Sequence, residues 1–253
     1  MSGVSYDTAG DGDPSMLFLH GWCCDRSFFA EQFHHFSTAH QVVAVDLPGH
    51  GESAAPSEWT IEALATEVAT VARSLDLVDI VAVGHSMGAM VALALSQQSP
   101  ELVSAVVMID PPPLRQEIWK RFAAQLVPSF QGVDGAAGRR QFVEQMFLPT
   151  DDAHRRAHIV ESICAVRNEV AIRMVNAMAE FDSTAALHAC DVPVLTIGSA
   201  VPPNDSAFLR ETNPAITIGQ TVGSGHFNQL EVPEQVNPMI ERFLSVTPRD
   251  GPA

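Results

Sequence analysis

The sequence predicts an α/β protein with a mostly parallel, doubly wound sheet, and the alternation of two kinds of segment is the main evidence. The first kind is a short apolar run rich in β-branched residues, which suits a strand buried on both faces of a parallel sheet. These runs lie at residues 16–19, 41–45, 80–83, 103–109 and 192–197. The second kind has helical periodicity and lies at residues 26–36, 61–74, 87–98 and 234–244. Such alternation predicts right-handed crossovers in an open sheet.

One long insertion interrupts the alternation after Asp110. The string Pro111-Pro112-Pro113 ends the strand, and about 80 residues pass before the next strand, far more than an ordinary connection requires. Helical periodicity within this stretch predicts four helices. They are expected at residues 117–126, 138–146, 152–165 and 169–181. The insertion therefore reads as a second structural unit.

We predict a core made of residues 1–111 and 191–253, with a helical cap made of residues 112–190. The cap carries several large apolar side chains, and pockets draw on a few side chains of this kind. We expect Trp119, Phe122 and Phe147 to contact a substrate.

Composition bounds the class of protein. With 253 residues, 46% of them hydrophobic, the chain can bury one large core. Fourteen basic against thirty acidic residues give a formal net charge of −16, which disfavours nucleic acid and anionic lipid surfaces as partners. We expect a small-molecule substrate.

No uncharged apolar stretch is long enough to span a membrane and the first residues lack the pattern of a signal peptide, so a cytoplasmic location is expected.

The four cysteines match neither a zinc-binding spacing nor a disulfide framework. Cys23 and Cys24 are adjacent, while Cys164 and Cys190 are far away in sequence. Reduced thiols are expected, and the sequence predicts neither a metal site nor a cofactor.

The most informative motif is Gly84-His85-Ser86-Met87-Gly88. It follows a predicted strand directly and precedes a predicted helix directly, which is the context of a nucleophile elbow. Such a tight turn holds the serine in a strained conformation and requires small neighbours where strand and helix approach each other. Ser86 is therefore the candidate nucleophile.

A serine hydroxyl needs a base within hydrogen-bond reach and a group that orients the base. His226 lies in a glycine-rich loop after the last β-prone segment, from which it can reach back to the elbow. Two carboxylates compete for the third role. Asp110 ends a strand, which positions a side chain rigidly. Asp205 follows a longer loop and precedes a short helical segment, so that capping this helix would account for it equally well.

An oxyanion hole is expected near His20-Gly21-Trp22, which follows the strand at 16–19. The backbone N–H groups of Trp22 and Met87 are the predicted donors. Charge on the carbonyl oxygen develops only in the transition state, which is why two such donors accelerate acyl transfer. His20, Asp46 and His50 are interpreted as structural residues.

Together, four strings resemble the α/β-hydrolase superfamily over nearly the whole chain. They are His20-Gly21-Trp22-Cys23-Cys24-Asp25, Asp46-Leu47-Pro48-Gly49-His50-Gly51-Glu52-Ser53, Gly84-His85-Ser86-Met87-Gly88 and Gly225-His226-Phe227. The resemblance implies an eight-stranded, mostly parallel sheet with a helical cap inserted after strand 6, a Ser-His-acid triad and no cofactor. These motifs specify a fold far better than a substrate.

The chain departs from the family pattern at the acid. Most members carry it two to four residues beyond a glycine after the seventh strand, where this chain has Ser199, Ala200 and Val201 after Gly198. Some members, including certain lactonases, carry the acid after the sixth strand, where Asp110 stands. The same shift occurs in cofactor-free 2,4-dioxygenases of quinolones, which resemble this chain also in the His-Gly-Trp-Cys-x-Asp string.

Three functions follow as hypotheses. The first is a serine hydrolase that cleaves a carboxylic ester, lactone or thioester of a small to medium apolar substrate, in which Ser86 forms the acyl-enzyme. The second is oxygenolytic ring cleavage of a heteroaromatic, with His226 and Asp110 as a base dyad and without a role for Ser86. The third is a non-catalytic ligand-binding protein with the same fold. Turnover of a substrate that His226→Ala abolishes would count against this hypothesis. The oligomeric state does not follow from the sequence.

Overall fold

A computed structural model describes residues 3–132 and 134–248 and contains one sheet of seven strands. The strands are β1 (Tyr6–Ala9), β2 (Met16–Leu19), β3 (Val42–Val45), β4 (Ile80–His85), β5 (Val103–Ile109), β6 (Val194–Gly198) and β7 (Thr217–Gln220). Their order across the sheet is β1-β3-β2-β4-β5-β6-β7. Strand β1 pairs antiparallel with β3, and every other pair is parallel.

The mostly parallel, doubly wound sheet is confirmed. Within the described residues the sheet has seven strands, whereas the resemblance implied eight, because the segment before β2 contributes one antiparallel strand. The insertion therefore follows the fifth strand of this chain. The chain winds from β2 outward to β3 and then returns to β4 on the other side, so the direction of winding switches between β2 and β4. Ligands of such sheets bind at the carboxyl ends of the strands beside this switch point.

Helices cover both faces of the sheet. They are α1 (Ala30–Phe36), α2 (Ile61–Ser74), α3 (Met87–Gln98), α4 (Gln116–Ser129), α5 (Gly135–Glu144), α6 (Ala153–Ala165), α7 (Asn168–Glu180), α8 (Ser183–His188), α9 (Ser206–Thr212), α10 (Asn228–Glu231) and α11 (Pro233–Val246). A short 3₁₀ helix, Arg26–Phe29, precedes α1. Alternate residues of each strand face opposite sides: Leu17 packs on the side of α2 and α3, whereas Phe18 packs on the side of α1 and α11.

The insertion between β5 and β6 contains α4 to α8. Helices α4 to α7 correspond to the four predicted ones, with α4 and α5 beginning one and three residues earlier. Helix α8 was not predicted, because six residues are too few to show a period. It lies against α3, where the Gln97 side chain donates to the Ala186 carbonyl. The division of the chain into a core and a cap remains a prediction.

No helix among the described residues combines the length and the apolar character that crossing a membrane requires.

Candidate active site

Ser86 lies at the sharp turn between β4 and α3, where the sequence predicted it. Its φ of 51° is in the left-handed region, which a residue with a side chain adopts only when its surroundings impose it. A side-chain carbon on Gly84 would overlap the carbonyl oxygen of Gly88, and one on Gly88 would overlap that of Leu19. The two glycines thus allow α3 to start directly against β4 and β2. Ser86 is nearly buried, and its hydroxyl lines a cavity at the carboxyl edge of the sheet.

Asp110 follows β5 directly and also takes a left-handed conformation, with φ at 38°. Its N–H donates to the Ile197 carbonyl at 2.8 Å, which fixes the residue to the neighbouring strand β6. Asp110 is 2% exposed, and its carboxylate Oδ1 accepts from the backbone N–H of Ser199 at 2.7 Å. Ser199 occupies the segment where most family members carry the acid. In this chain the same segment donates a hydrogen bond to Asp110 instead.

His226 meets Asp110 across the edge of the sheet. Its Nδ1 lies 2.6 Å from Oδ2 of Asp110. Because a carboxylate can only accept, Nδ1–H is the donor, and in the tautomer that can serve as a base Nε2 is the acceptor. His226 and Ser86 line the same cavity. Among the described residues no hydrogen bond joins the Ser86 hydroxyl to the imidazole, and in unliganded sites such bonds are often long.

Asp205, the alternative acid, lies elsewhere. Its carboxylate accepts from the Phe208 N–H at 2.8 Å and thereby caps α9, and it also pairs with Arg115 at 2.9 Å. The side chain is 58% exposed. The Phe208 N–H and the Arg115 guanidinium lower the pKa of the Asp205 carboxyl. The structure therefore brings Asp110, and not Asp205, to His226.

The loop after β2 lies against the elbow, as expected for the two predicted oxyanion donors. A side-chain carbon on Gly21 would come within 3.3 Å of the Ser86 Cβ. Met87 is the first residue of α3, so its N–H has no partner within the helix. In the part of the chain that the structure describes, the backbone N–H of Trp22 donates to no protein acceptor. The indole of Trp22 is anchored in the insertion, because its N–H donates to the Ala171 carbonyl at 2.9 Å.

His20 holds the shape of this loop. Its Nε2 accepts from the Leu47 N–H at 2.9 Å, so its Nδ1–H donates to the Gly21 carbonyl at 2.8 Å. Burial lowers the pKa of His20 to about 4, which keeps the ring neutral at physiological pH. The neighbouring His50 is also buried, and its pKa is lowered to about 3. These contacts agree with a structural role for both histidines.

His85 is a contact residue that sequence reasoning did not assign. Its Nε2–H donates to the backbone carbonyl of His226 at 2.9 Å, and the two rings lie 4.7 Å apart. Burial keeps the pKa of His85 well below its ordinary value, so the ring is neutral. Its single N–H is the Nε2–H that makes this bond. The only advance signal was its place beside Ser86 in the elbow motif.

A second unassigned contact joins the insertion to the histidine loop. The buried Asp151 accepts from the Gly225 N–H at 3.0 Å and from the Leu148 N–H at 2.8 Å. The N–H of His226 itself donates to the Met146 carbonyl at 2.9 Å. The bonds made by Gly225 and His226 connect residues more than 70 positions apart, so no local pattern in the sequence predicts them.

The cavity above Ser86 has a volume of about 380 Å³. The predicted contact residues Trp119, Phe122 and Phe147 all line it. Apolar side chains dominate the rest of the wall, which includes Pro112, Pro113, Ile118, Phe142, Met146, Leu148, Val201 and Pro203. Its uncharged polar side chains are those of Ser86, Gln145, Ser199 and Ser224. The His226–Asp110 pair contributes the ionisable groups of this wall.

The described residues contain no group of three or more His, Cys, Asp or Glu side chains arranged to hold a metal ion. The four cysteines are free thiols.

Comparison with known proteins identifies the family. The profile described as the alpha/beta hydrolase family matches residues 16–239. The chain belongs to the alpha/beta hydrolase family. Pimeloyl-(acyl-carrier protein) methyl ester esterase of Sodalis glossinidius is 26% identical over 211 residues, which are 78% of this chain and 79% of that protein. Two other curated relatives are 31% and 38% identical over shorter segments, and the chain spans only 36% and 29% of their lengths.

Two solved structures share the fold of this alpha/beta hydrolase. An esterase from Thermogutta terrifontis superposes with a TM-score of 0.81 at 24% identity and covers 96% of this chain and 93% of its own. An enol-lactonase from Burkholderia xenovorans LB400 has a TM-score of 0.81 at 20% identity and covers 96% of both chains. At these identities the likeness establishes the fold alone.

Proposed function

We propose that this alpha/beta hydrolase cleaves a carboxylic ester, lactone or thioester of a small to medium, uncharged substrate through an acyl-enzyme on Ser86. One observation carries the proposal: an Asp110–His226 pair with a 2.6 Å hydrogen bond borders the same apolar cavity as the elbow serine. Family membership and the relatives named as esterases support hydrolysis as the reaction type.

In the first half of the reaction the Ser86 hydroxyl attacks the substrate carbonyl carbon, and His226 Nε2 takes the hydroxyl proton. Asp110 accepts from Nδ1–H and stabilises the imidazolium that forms. The backbone N–H groups of Trp22 and Met87 donate to the developing oxyanion. Collapse of the intermediate breaks the bond to the leaving alcohol or thiol, which takes its proton from His226.

In the second half water attacks the acyl-enzyme, with His226 again as the base. The same two N–H groups stabilise the second oxyanion, and its collapse releases the carboxylic acid and restores the Ser86 hydroxyl. With a lactone, the leaving oxygen stays attached to the acyl chain and one hydroxy acid is released.

The lining of the cavity supports an uncharged substrate. Its walls contain no Lys or Arg side chain among the described residues, so a substrate carboxylate would be desolvated there without a counter-ion. The Asp110 carboxylate is buried beneath His226 and adds negative charge. An apolar acyl or alkoxy group instead gains the free energy of burying its surface.

The test is hydrolysis of 4-nitrophenyl esters, from acetate to octanoate, at neutral pH by the wild type and by Ser86→Ala. We expect kcat/KM to fall by about 10³-fold or more in the variant, because the nucleophile is lost. Ser96→Ala is the matched control, since Ser96 also lies on α3 and is buried but does not line the cavity. A fluorophosphonate should add its mass to the wild type and not to Ser86→Ala. Release that is equal in wild type and Ser86→Ala for esters, lactones and thioesters alike would overturn the proposal.

A second candidate is oxygen-dependent ring cleavage of a heteroaromatic with an acidic hydroxyl. One feature favours it: His226 and Asp110 already form a hydrogen-bonded pair, while Ser86 forms no hydrogen bond with His226 among the described residues. The dyad alone would then deprotonate the substrate. Consumption of molecular oxygen with a hydroxyquinolone, retained in Ser86→Ala and lost in His226→Ala, would identify this reaction, and its absence would exclude the substrate class.

A further inference from the structure

Three side chains separate the active-site cavity from a second hollow in the insertion. Phe122, Phe142 and Gln145 line both spaces. The second hollow has a volume of about 240 Å³ and lies between α4 and α5. Its remaining lining consists of Gln125, Leu126, Ser129, Gly138 and Gln141. We call it the α4–α5 groove.

The partition is a thin layer made of side chains from two facing helices. Phe122 comes from α4, Phe142 comes from α5, and their ring centroids lie 5.5 Å apart. Phe122 is 36% exposed, so its ring borders solvent and is not enclosed by the core. Gln145 follows the end of α5 and is also exposed. Exposed side chains change rotamer on the picosecond to nanosecond timescale, far faster than a typical turnover.

The chemistry of the groove limits what can occupy it. Its lining combines Phe122, Leu126 and Phe142 with uncharged amides and one hydroxyl, and the described residues that form it include no Asp, Glu, Lys or Arg. A charged group would find no counter-ion there, whereas a flexible uncharged chain would bury methylene groups against the apolar side chains. Because only this partition lies between the groove and the cavity, the natural occupant is the far end of a substrate held over Ser86.

We propose that the α4–α5 groove is a second subsite, which takes the distal end of an uncharged acyl chain too long for the cavity, and that Phe122 and Gln145 set the chain length at which it is entered. The inference rests on the proposed function and adds to it a specificity determinant. Phe142 is less suitable as a probe because its ring also packs against Trp22 at 5.8 Å.

The experiment compares kcat/KM of the wild type and Phe122→Ala over 4-nitrophenyl esters from acetate to palmitate. Removing the ring joins the two spaces, so we expect the ratio of dodecanoate to butyrate kcat/KM to rise by about tenfold, which is the value of one to two buried methylene groups. Gln145→Ala opens the other side of the partition and should shift the ratio in the same direction. Gln145→Ala also tests the proposal by itself if Phe122→Ala fails to fold.

Two further variants show where the chain lies. Ile118 lines the cavity but not the groove, so Ile118→Ala should enlarge the cavity alone. Any increase in the dodecanoate-to-butyrate ratio that it gives should therefore not depend on the groove. Gln141 is exposed and lines only the groove, and Gln141→Trp should fill it. Phe122→Ala/Gln141→Trp is therefore expected to lose the long-chain gain, whereas Ile118→Ala/Gln141→Trp should behave like Ile118→Ala.

The outcomes separate the two proposals. Ser86-dependent release from butyrate with an unchanged length ratio in Phe122→Ala and Gln145→Ala would overturn the subsite and leave the hydrolase intact. A long-chain gain that survives Gln141→Trp would overturn it as well, since the chain would then lie elsewhere. Absence of Ser86-dependent release from every ester, lactone and thioester would overturn the proposed function itself.

Discussion

The two sides of the cavity are built differently. On the side of the sheet, Ser86 and Asp110 have left-handed backbone conformations, and their N–H groups donate to the carbonyls of Ile109 and Ile197. On the side of the insertion, the wall consists of side chains on helices, among them the partly exposed Phe122. One side is fixed by backbone hydrogen bonds at strand ends, and the other by the rotamers of a few aromatic rings.

This difference separates chemistry from selection. Acyl transfer requires reacting groups to be held to within about half an ångström, and strand ends provide that precision. Substrate choice requires only a wall of suitable shape, which can vary without disturbing the strands. Substitutions on the side of the sheet should therefore change kcat, whereas those on the side of the insertion should change the substrate profile.

The largest expected effect in this comparison is that of Asp110→Asn. The substitution preserves shape but removes the charge that stabilises the imidazolium and selects the Nδ1–H tautomer, so we expect kcat to fall by about 10²- to 10⁴-fold. Steady-state kinetics on the best 4-nitrophenyl ester measures it.

Asp205→Asn is the matched control, because Asp205 is the other candidate acid, and among the described residues its carboxylate caps α9 and pairs with Arg115 without bonding His226. Its kcat should remain within about twofold of the wild type. A large loss in Asp205→Asn together with a small one in Asp110→Asn would show that the observed Asp110–His226 pair is not the working one.

Much of the sheet side could be predicted from the sequence. The bounds of α2 and α3 agree with the structure because apolar periodicity and the elbow glycines mark them. Asp110 and His226 could be assigned to one edge because carboxyl ends of parallel strands meet there. The choice between Asp110 and Asp205 was open, since both follow strands and only the three-dimensional path of the loops decides it.

The contacts of the insertion could be predicted far less well. That Trp119, Phe122 and Phe147 line the cavity followed from their size and apolar character, but the partition that Gln145 completes did not. The bond from Asp151 to Gly225 joins two loops whose sequences carry no common pattern. Helices α8 and α10 were missed because segments of six and four residues are too short to show periodicity.

The sheet side should also be the more acid-sensitive of the two. His20, His50 and His85 are buried there, and burial lowers the pKa of His20 to about 4 and that of His50 to about 3. In the unfolded chain each titrates near pH 6.5, so below that pH the unfolded state binds more protons. This stabilising contribution is complete above about pH 6.5 and is lost as the pH falls towards the folded pKa.

We expect the free energy of unfolding to be lower at pH 5 than at pH 7 by about 2 kcal/mol from His20 and a similar amount from His50. Urea titrations at the two pH values measure the difference. His50→Gln should reduce the difference by about its own share. His154 lies on the exposed surface of the insertion, so His154→Gln should leave the difference between the two pH values unchanged. An equal effect of both variants would contradict the prediction that the sheet side is the more acid-sensitive.

The smallest expected effect on activity lies where the two sides meet. Asp151 belongs to the insertion but accepts the N–H of Gly225, next to His226. Asp151→Ala leaves that donor and the Leu148 N–H without their acceptor, so the histidine loop loses an anchor while the cavity wall stays in place. We expect kcat to fall by about tenfold with KM nearly unchanged, and Asp151→Asn, which keeps an acceptor oxygen, to recover most of the loss.

Asp152→Ala is the control, because this neighbour caps α6 through the Arg155 N–H and does not bond the loop. A rise in KM with an unchanged kcat in Asp151→Ala would contradict this prediction. The insertion would then affect substrate selection alone, and the hydrogen bond from Gly225 to Asp151 would not contribute to catalysis.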